Sequence, residues 1–121
     1  MTILVDARNV LRSRWPNVPE DELVDRIEEW ARDRGVRAFV VFDGRAPGGL
    51  RGEHERSEAV TLVGTGGEEA DAWIARRAVE LVAGGVAYEL VTSDRAVRAA
   101  AGPQARRTIG GGAFLSELGL S

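Results

Sequence analysis

Hydrophobic positions along the chain fall into two patterns, unbroken apolar runs and stripes that recur every three or four residues. The unbroken runs are rich in β-branched residues, which is typical of strands buried on both faces. They predict four strands, at residues 2–7, 36–44, 59–64 and 86–92. A weaker run at residues 105–110 predicts a fifth strand.

The recurring stripes predict helices between these strands. The predicted helices lie at residues 9–14, 19–35, 65–85, 93–101 and 112–120. Gly35 is a typical helix stop, and Ser93 is a typical N-terminal cap. Thr65 and Glu68 have the spacing of a capping box, in which each side chain bonds the other's backbone. The remaining Gly- and Arg-rich stretch, residues 45–57, is predicted to be a polar loop.

Strands that alternate with helices predict the α/β fold class. The expected architecture has three layers, α/β/α, with helices on both faces of a mostly parallel sheet of about five strands. The chain of 121 residues is long enough to bury a hydrophobic core and too short for two domains, so residues 1–121 form a single predicted domain. In such sheets, ligands bind at the carboxyl ends of the strands.

Carboxylates follow each of the four long predicted strands at that edge. Asp6 and Asp43 end the first two strands, Glu68 and Asp71 begin the helix after the third, and Asp94 follows the fourth. Singly, each acid also fits a turn or a helix N-terminus. Together, they would repel one another and raise each other's pKa unless a cation were present. The pattern therefore predicts a site for Mg²⁺ or Mn²⁺, which prefer oxygen ligands and commonly bind substrate phosphate as well.

Composition narrows the class of protein further. Cysteine is absent, which excludes disulfides and thiolate metal sites, and all 16 basic residues are arginine in a chain of net charge −3. No run approaches the roughly 18 apolar residues of a membrane span, so we expect a cytoplasmic protein with no membrane contact. The single histidine, His54, lies in the polar loop, which argues against RNA cleavage by a pair of histidines.

Several short motifs, taken in order, resemble a known family. They are Thr2-Ile3-Leu4-Val5-Asp6 with Asn9, then Val40-Val41-Phe42-Asp43, Glu68-x-Ala70-Asp71-x-x-Ile74, Val91-Thr92-Ser93-Asp94 and Gly112-Ala113-Phe114. This ordered set, which spans nearly the whole chain, is similar to the NYN branch of the PIN-like nucleases, close to the YacP-like group. The resemblance implies a PIN-like fold and a metal-dependent ribonuclease.

The resemblance also assigns roles to the acids. Asp6, Asp71 and Asp94 are similar to the family's metal-binding carboxylates, and Asp43 matches an acid common at the end of the second strand in the NYN branch. Glu68 matches a family acid too, although its role as a helix cap stays open. All five are therefore candidates for the catalytic or metal site.

Polar residues beside these acids are candidates for positioning them or the scissile phosphate. By the same resemblance these are Asn9 and Thr92 or Ser93. The chain departs from the family after the first aspartate, where many relatives have Gly-Tyr and this chain has Ala7-Arg8. A base-stacking role for that aromatic residue is therefore not expected here.

Arginines cluster after the acid-bearing strand ends, and we interpret them as a basic rim for RNA phosphates. The candidates are Arg8, Arg12, Arg45, Arg51 and Arg95, with Arg14, Arg56 and Arg98 beside them. A solvated surface with salt bridges is the alternative. Trp15 either stacks on a base beside this rim or packs its loop against the core, and the sequence favours packing.

The preferred hypothesis is a metal-dependent ribonuclease that hydrolyses single-stranded or flexible RNA. The alternatives are a catalytically silent RNA-binding or interaction domain of the same fold, and a PIN-like toxin paired with an antitoxin. An aspartyl phosphatase or a receiver domain is disfavoured, because position 8 is Arg and lysine is absent. The sequence leaves open a homodimer, a ribosomal or RNA-processing partner, and endo- versus exonucleolytic cleavage.

Overall fold

The central layer of the domain is a six-stranded sheet, seen in a computed structural model that describes residues 1–120. The strands are β1 (Thr2–Asp6), β2 (Arg37–Phe42), β3 (Gly52–Glu55), β4 (Val60–Gly64), β5 (Tyr88–Val91) and β6 (Thr108–Ile109). Across the sheet the order is β3-β4-β2-β1-β5-β6. Every neighbouring pair is parallel except β3 with β4, so the prediction of a mostly parallel sheet is confirmed.

Five helices connect these strands. They are α1 (Ala7–Arg12), α2 (Glu20–Arg34), α3 (Ala70–Ala83), α4 (Arg95–Ala101) and α5 (Gly111–Glu117). Acidic residues occupy the first turn of α2, and Gly35 ends it in the left-handed conformation that glycine adopts without strain, as the sequence predicted. Among residues 1–120, no helix is both long and apolar enough to span a bilayer.

Alternating side chains of the central strands bury two cores, one on each face of the sheet. Ile3 and Val5 belong to a core that also contains the apolar residues of α1, α2 and α5. Leu4, between them, belongs to the opposite core, which α3 and α4 complete. This alternation is the two-residue period of a strand, and it confirms the three-layer α/β/α architecture.

The main difference from the predicted fold is β3, which lies within the predicted polar loop and gives the sheet six strands rather than five. All four residues of β3 are exposed, so the segment lacks the apolar alternation that identifies strands in a sequence. It is held by antiparallel pairing with β4, in which Gly52 lies opposite Gly64. Gly64 leaves room for the segment that leads into β3, because a Cβ at this position would lie 2.1 Å from the carbonyl oxygen of Leu50.

The order of the strands places a crevice beside β1. The chain proceeds from β1 outward to β2 and β4 and then crosses to β5 on the other side of β1. Parallel α/β sheets bind ligands at such a reversal, outside the carboxyl ends of the strands. Here those ends carry Asp6, the last residue of β1, and Thr92, which follows β5.

Candidate active site

Asp6 lies at the centre of this edge and is 6% exposed. Parallel pairing of β1 with β5 sets Val5 beside Val91 and brings Thr92, which is fully buried, next to Asp6. Thr92 Oγ1 donates a hydrogen bond to Asp6 Oδ2 at 2.9 Å and accepts one from the backbone N–H of Asp94 at 3.0 Å. One hydroxyl therefore fixes the Asp6 carboxylate relative to the start of α4.

Asp43 and Asp94 are held by helix N-termini. Asp94 caps α4, since its Oδ1 accepts hydrogen bonds from the N–H groups of Ala96 at 2.8 Å and Val97 at 3.1 Å. Asp43 reaches from the end of β2 to α3, where its Oδ1 accepts from the N–H of Ala70 at 2.6 Å. In each case one carboxylate oxygen is anchored, and the structure gives no hydrogen bond to the other oxygen from residues 1–120.

The carboxylates meet in an open cleft of about 240 Å³ at the carboxyl edge of the sheet. Its lining residues are Asp6, Arg12, Asp43, Glu69, Ala70, Asp71, Asp94 and Val97. Four of the five acids that the sequence singled out thus lie together, although they are up to 88 residues apart in the chain, from Asp6 to Asp94. Asp71 enters the cleft from the first turn of α3.

Burial raises the pKa of Asp6 above its usual value. The hydrogen bond from Thr92 opposes this effect, while the nearby negative charges of Asp43 and Asp94 add to it, and the positive charge of Arg12 lowers the pKa again. The cleft therefore concentrates negative charge around one poorly solvated carboxylate. A cation in the cleft would relieve this repulsion and favour the ionised form of Asp6.

Glu68 stands apart from this cleft. Its two carboxylate oxygens accept hydrogen bonds from Arg76 at 2.5 and 2.9 Å, and this pairing lowers the pKa of Glu68. The predicted capping box is wrong, because α3 begins only at Ala70 and Thr65 Oγ1 donates to the carbonyl oxygen of Glu68 instead. Its neighbour Glu69, which the sequence pattern did not single out, lines the cleft in its place.

Comparison with known proteins decides the family of the chain. A family model described as the YacP-like NYN domain matches residues 3–119. The chain belongs to the YacP-like NYN domain family. This confirms the resemblance found in the sequence and gives the chain a nuclease-like domain.

Solved structures agree with this assignment at the level of the fold. The crystal structure of Rae1 (YacP) from Bacillus subtilis matches this YacP-like NYN domain with a TM-score of 0.72 and 24% identity, over 98% of this chain and 74% of that chain. The crystal structure of a mutant of the same protein gives the same values. No curated protein matches the chain.

The donors in the cleft of this YacP-like NYN domain are carboxylate oxygens, which fit a hard divalent cation by their chemistry. In Asp43 and Asp94, the hydrogen bonds to helix N–H groups use one oxygen of the carboxylate and leave the other for an ion. Their positions do not form a complete cage. Among residues 1–120, no three Asp, Glu, His or Cys side chains are close enough to hold one ion together. An ion here would take few direct protein ligands and keep several waters, as Mg²⁺ commonly does.

Asn9 and Ser93 do not line the cleft; instead, they form hydrogen bonds that join the segments around it. Asn9 Oδ1 accepts a hydrogen bond from the N–H of Ser93 at 2.7 Å, and Ser93 Oγ accepts one from the N–H of Gly111 at 2.9 Å. Ser93 is therefore not the cap of α4, as the sequence predicted, because Asp94 has that role. These bonds join α1, the segment after β5 and the start of α5.

Only part of the predicted basic rim is available to a substrate. Arg8 is an internal link, donating to Glu20 at 2.9 Å and to the backbone carbonyls of Asp43 and Arg45. Arg45 donates to the carbonyl of Gly49. These two arginines support the loop after β2, so the alternative of a salt-bridged structural role fits them better.

Three other predicted rim arginines are exposed. Arg12 lines the cleft, and Arg95 begins α4 directly after Asp94. Neither side chain forms a hydrogen bond or ion pair within residues 1–120. The guanidinium of Arg51 lies against Gly66, and Arg51 is not among the residues that line the cleft. Trp15 is 85% exposed, so the prediction that it packs against the core is wrong.

Proposed function

We propose that this domain is a metal-dependent ribonuclease that hydrolyses phosphodiester bonds of single-stranded or flexible RNA in the carboxylate cleft. The observation that carries the proposal is the convergence of Asp6, Asp43, Asp71 and Asp94 in one open cleft. They lie at the sheet edge where α/β folds bind ligands, in a chain of the YacP-like NYN family. Helix capping accounts for Asp43 and Asp94 singly and leaves the cleft that they share with Asp6 and Asp71 unexplained.

Asp6, Asp71 and Asp94 are the residues that would hold Mg²⁺ or Mn²⁺, in part through waters that the ion keeps, with Asp43 and Glu69 lining the same cleft. A bound divalent ion supplies a water of lowered pKa and stabilises charge on the phosphoryl and leaving oxygens. The protein contributes fixed geometry. Thr92 orients Asp6, and helix N–H groups orient Asp43 and Asp94, so each presents one oxygen to the cleft.

Of the residues that the structure describes, Arg12 is the one cationic side chain that lines the cleft. It is placed to contact a phosphate of the substrate while the carboxylates and their ion act on the scissile one. Among residues 1–120, no cysteine, serine or histidine lines the cleft, and the proposed reaction uses water as the nucleophile.

The test is cleavage of a labelled single-stranded RNA by the purified chain with Mn²⁺, with Mg²⁺ and with EDTA. We expect cleavage with either or both ions, none in EDTA, and loss of cleavage in Asp6→Asn and in Asp94→Asn. Asparagine is close in size to aspartate and keeps an acceptor oxygen for Thr92 or for the helix cap, so the fold is retained.

Glu68→Gln is the matched control, since it removes one negative charge near the same helix but outside the cleft. It should cleave as well as the unchanged protein. Cleavage that persists in Asp6→Asn and Asp94→Asn would refute the proposed site. RNA binding without cleavage under all metal conditions would favour the silent RNA-binding domain instead.

A further inference from the structure

Arg12 separates the acidic cleft from a second cleft of about 370 Å³ that lies between α1 and the start of α2. Leu11, Val18 and Pro19 provide apolar surface there, and Arg8 and Arg12 provide positive charge. Glu20, whose carboxylate also lines this cleft, is paired with Arg8 at 2.9 Å. The two adjoining clefts therefore differ in character, the first anionic and the second apolar with a cationic wall.

The loop that borders the second cleft is held by its own hydrogen bonds. Ser13 Oγ donates to the carbonyl of Asn9 at 2.7 Å. With its amide nitrogen facing the backbone, Asn17 donates to the carbonyls of Leu11 at 2.9 Å and Arg14 at 2.8 Å. These bonds fix the loop without any contribution from the side chain of Trp15.

Trp15 projects from this fixed loop into solvent. It is 85% exposed, whereas Trp30 and Trp73 are 9% and 6% exposed and belong to the two cores. Trp15 is three residues from Arg12 and two from Asn17, so its Cα lies within about 11 Å and 7 Å of theirs by chain length alone. An indole so placed, with no packing role, offers a free aromatic face beside the cleft.

The charges around this indole favour a polyanion. Arg12 and Arg14 are both exposed, and neither side chain has a hydrogen-bond or ion-pair partner in the part of the chain that the structure describes. Guanidinium groups bind phosphate well, and aromatic side chains stack on unpaired bases of any sequence. Cationic side chains beside an exposed aromatic ring are the features of a surface that binds single-stranded nucleic acid.

We propose that Trp15 stacks on an unpaired base of the RNA while Arg12 and Arg14 contact the phosphates that lead from this nucleotide into the acidic cleft. The proposal rests on the proposed function and adds a binding subsite to it. Because the bases of a duplex are already stacked on one another, the subsite selects unpaired RNA. Stacking tolerates every base, so the subsite raises affinity without reading sequence.

The test measures binding of a short labelled uridine oligonucleotide by fluorescence anisotropy in EDTA, where no cleavage intervenes. Trp15→Ala should weaken binding by roughly 5- to 150-fold, the loss expected for one base-stacking contact. Trp15→Phe should retain most of the affinity, because it keeps an aromatic face. Val79 is also an exposed apolar residue, but it lies on α3. Val79→Ala, which truncates this side chain, is the matched control and should bind normally.

A second arm removes the base instead of the indole. An oligonucleotide with abasic sites should bind the unchanged protein as weakly as the uridine oligonucleotide binds Trp15→Ala, and Trp15→Ala should not weaken it further. Since Trp15 is exposed, circular dichroism should show the same fold for all variants. Equal affinity of Trp15→Ala and Val79→Ala for the uridine oligonucleotide would overturn the stacking proposal.

Failure of the subsite is distinguishable from failure of the proposed function. If the protein cleaves RNA in an Asp6-dependent manner but Trp15→Ala binds normally, only the stacking subsite is refuted. If the unchanged protein neither binds nor cleaves single-stranded RNA with any of the ions, the subsite and the ribonuclease proposal are both refuted.

Discussion

Thr92 Oγ1 donates a hydrogen bond of 2.9 Å to Asp6 Oδ2 across the junction of β1 and β5. The same oxygen accepts from the N–H of Asp94, so both of its bonding directions serve the candidate site. Each partner is buried or half-buried at this point, where an unmatched polar group is costly. This threonine links the Asp6 carboxylate to the backbone of Asp94 through one short side chain.

Replacing Thr92 with valine should therefore damage both stability and activity. Thr92→Val keeps the shape but leaves Asp6 Oδ2 and the N–H of Asp94 without their partner. We expect a loss of about 1–3 kcal/mol in the free energy of unfolding, measured with urea, together with reduced RNA cleavage. Thr92→Ser retains the hydroxyl and should retain most of the activity. Equal losses in the two variants would show that the methyl group, and not the hydrogen bond, matters.

Asp6 should make the protein less stable as the pH rises when no metal is present. Its pKa in the folded chain is raised by burial above 3.8, its ordinary value. The folded state therefore holds this proton more tightly than the unfolded state. This contribution to stability is complete below pH 3.8 and is lost as the pH rises through the raised pKa.

Asp6→Asn removes this titration and should be more stable than the unchanged protein at neutral pH in EDTA, although it should not cleave RNA. The measurement is the free energy of unfolding in urea for both proteins, from below pH 3.8 to neutrality. The advantage of the variant should grow with pH. A constant difference, or an unchanged protein that gains on the variant as pH rises, would contradict the prediction.

Asp43 combines a structural hydrogen bond with a negative charge, and two substitutions separate them. Asp43→Ala removes the acceptor for the N–H of Ala70 and should cost about 0.5–2 kcal/mol, as the loss of a helix cap does. Asp43→Asn retains an acceptor oxygen and should unfold at nearly the same urea concentration as the unchanged protein. Both should cleave RNA more slowly, since both lack the charge. A destabilised Asp43→Asn would mean that the charge itself supports the fold.

Arg12 should contribute measurably to the salt dependence of RNA binding. For single-stranded nucleic acids, each phosphate contact adds about 0.7 to the slope of log affinity against log salt. Arg12→Gln should reduce the magnitude of this slope by about 0.7 in EDTA. Arg32→Gln is the control, because Arg32 is exposed near the opposite edge of the sheet, beside Met1 and Arg37. Equal slopes for the two variants would remove Arg12 from the binding surface.

The convergence of the aspartates could be predicted because it follows from topology. Asp6 and Asp43 end parallel strands, and Asp94 follows another, so the sheet itself brings them to one edge. The two long helices were likewise readable from apolar periodicity. These features depend on local pattern and on a general rule of α/β folds.

Other features depend on contacts that a linear pattern does not contain. The predicted cap of α3 came from the spacing of Thr65 and Glu68, whereas the oxygen that accepts from Ala70 belongs to Asp43, 27 residues earlier. Arg8 was expected to face a substrate, yet it bonds to Glu20 and to the loop after β2. Such partners are set by the tertiary arrangement of elements distant in sequence.

The short outer strands of the sheet limit how this domain can associate with other chains. β6 has only two residues. β3 has four residues, all of which are exposed, and its Glu53 and Glu55 form ion pairs with Arg77 and Arg37. Short, charged borders resist the addition of a strand from a neighbouring molecule. Pairing of a strand from another molecule with β3 or β6 is thus disfavoured. We expect macromolecules to contact this domain through its helices and loops.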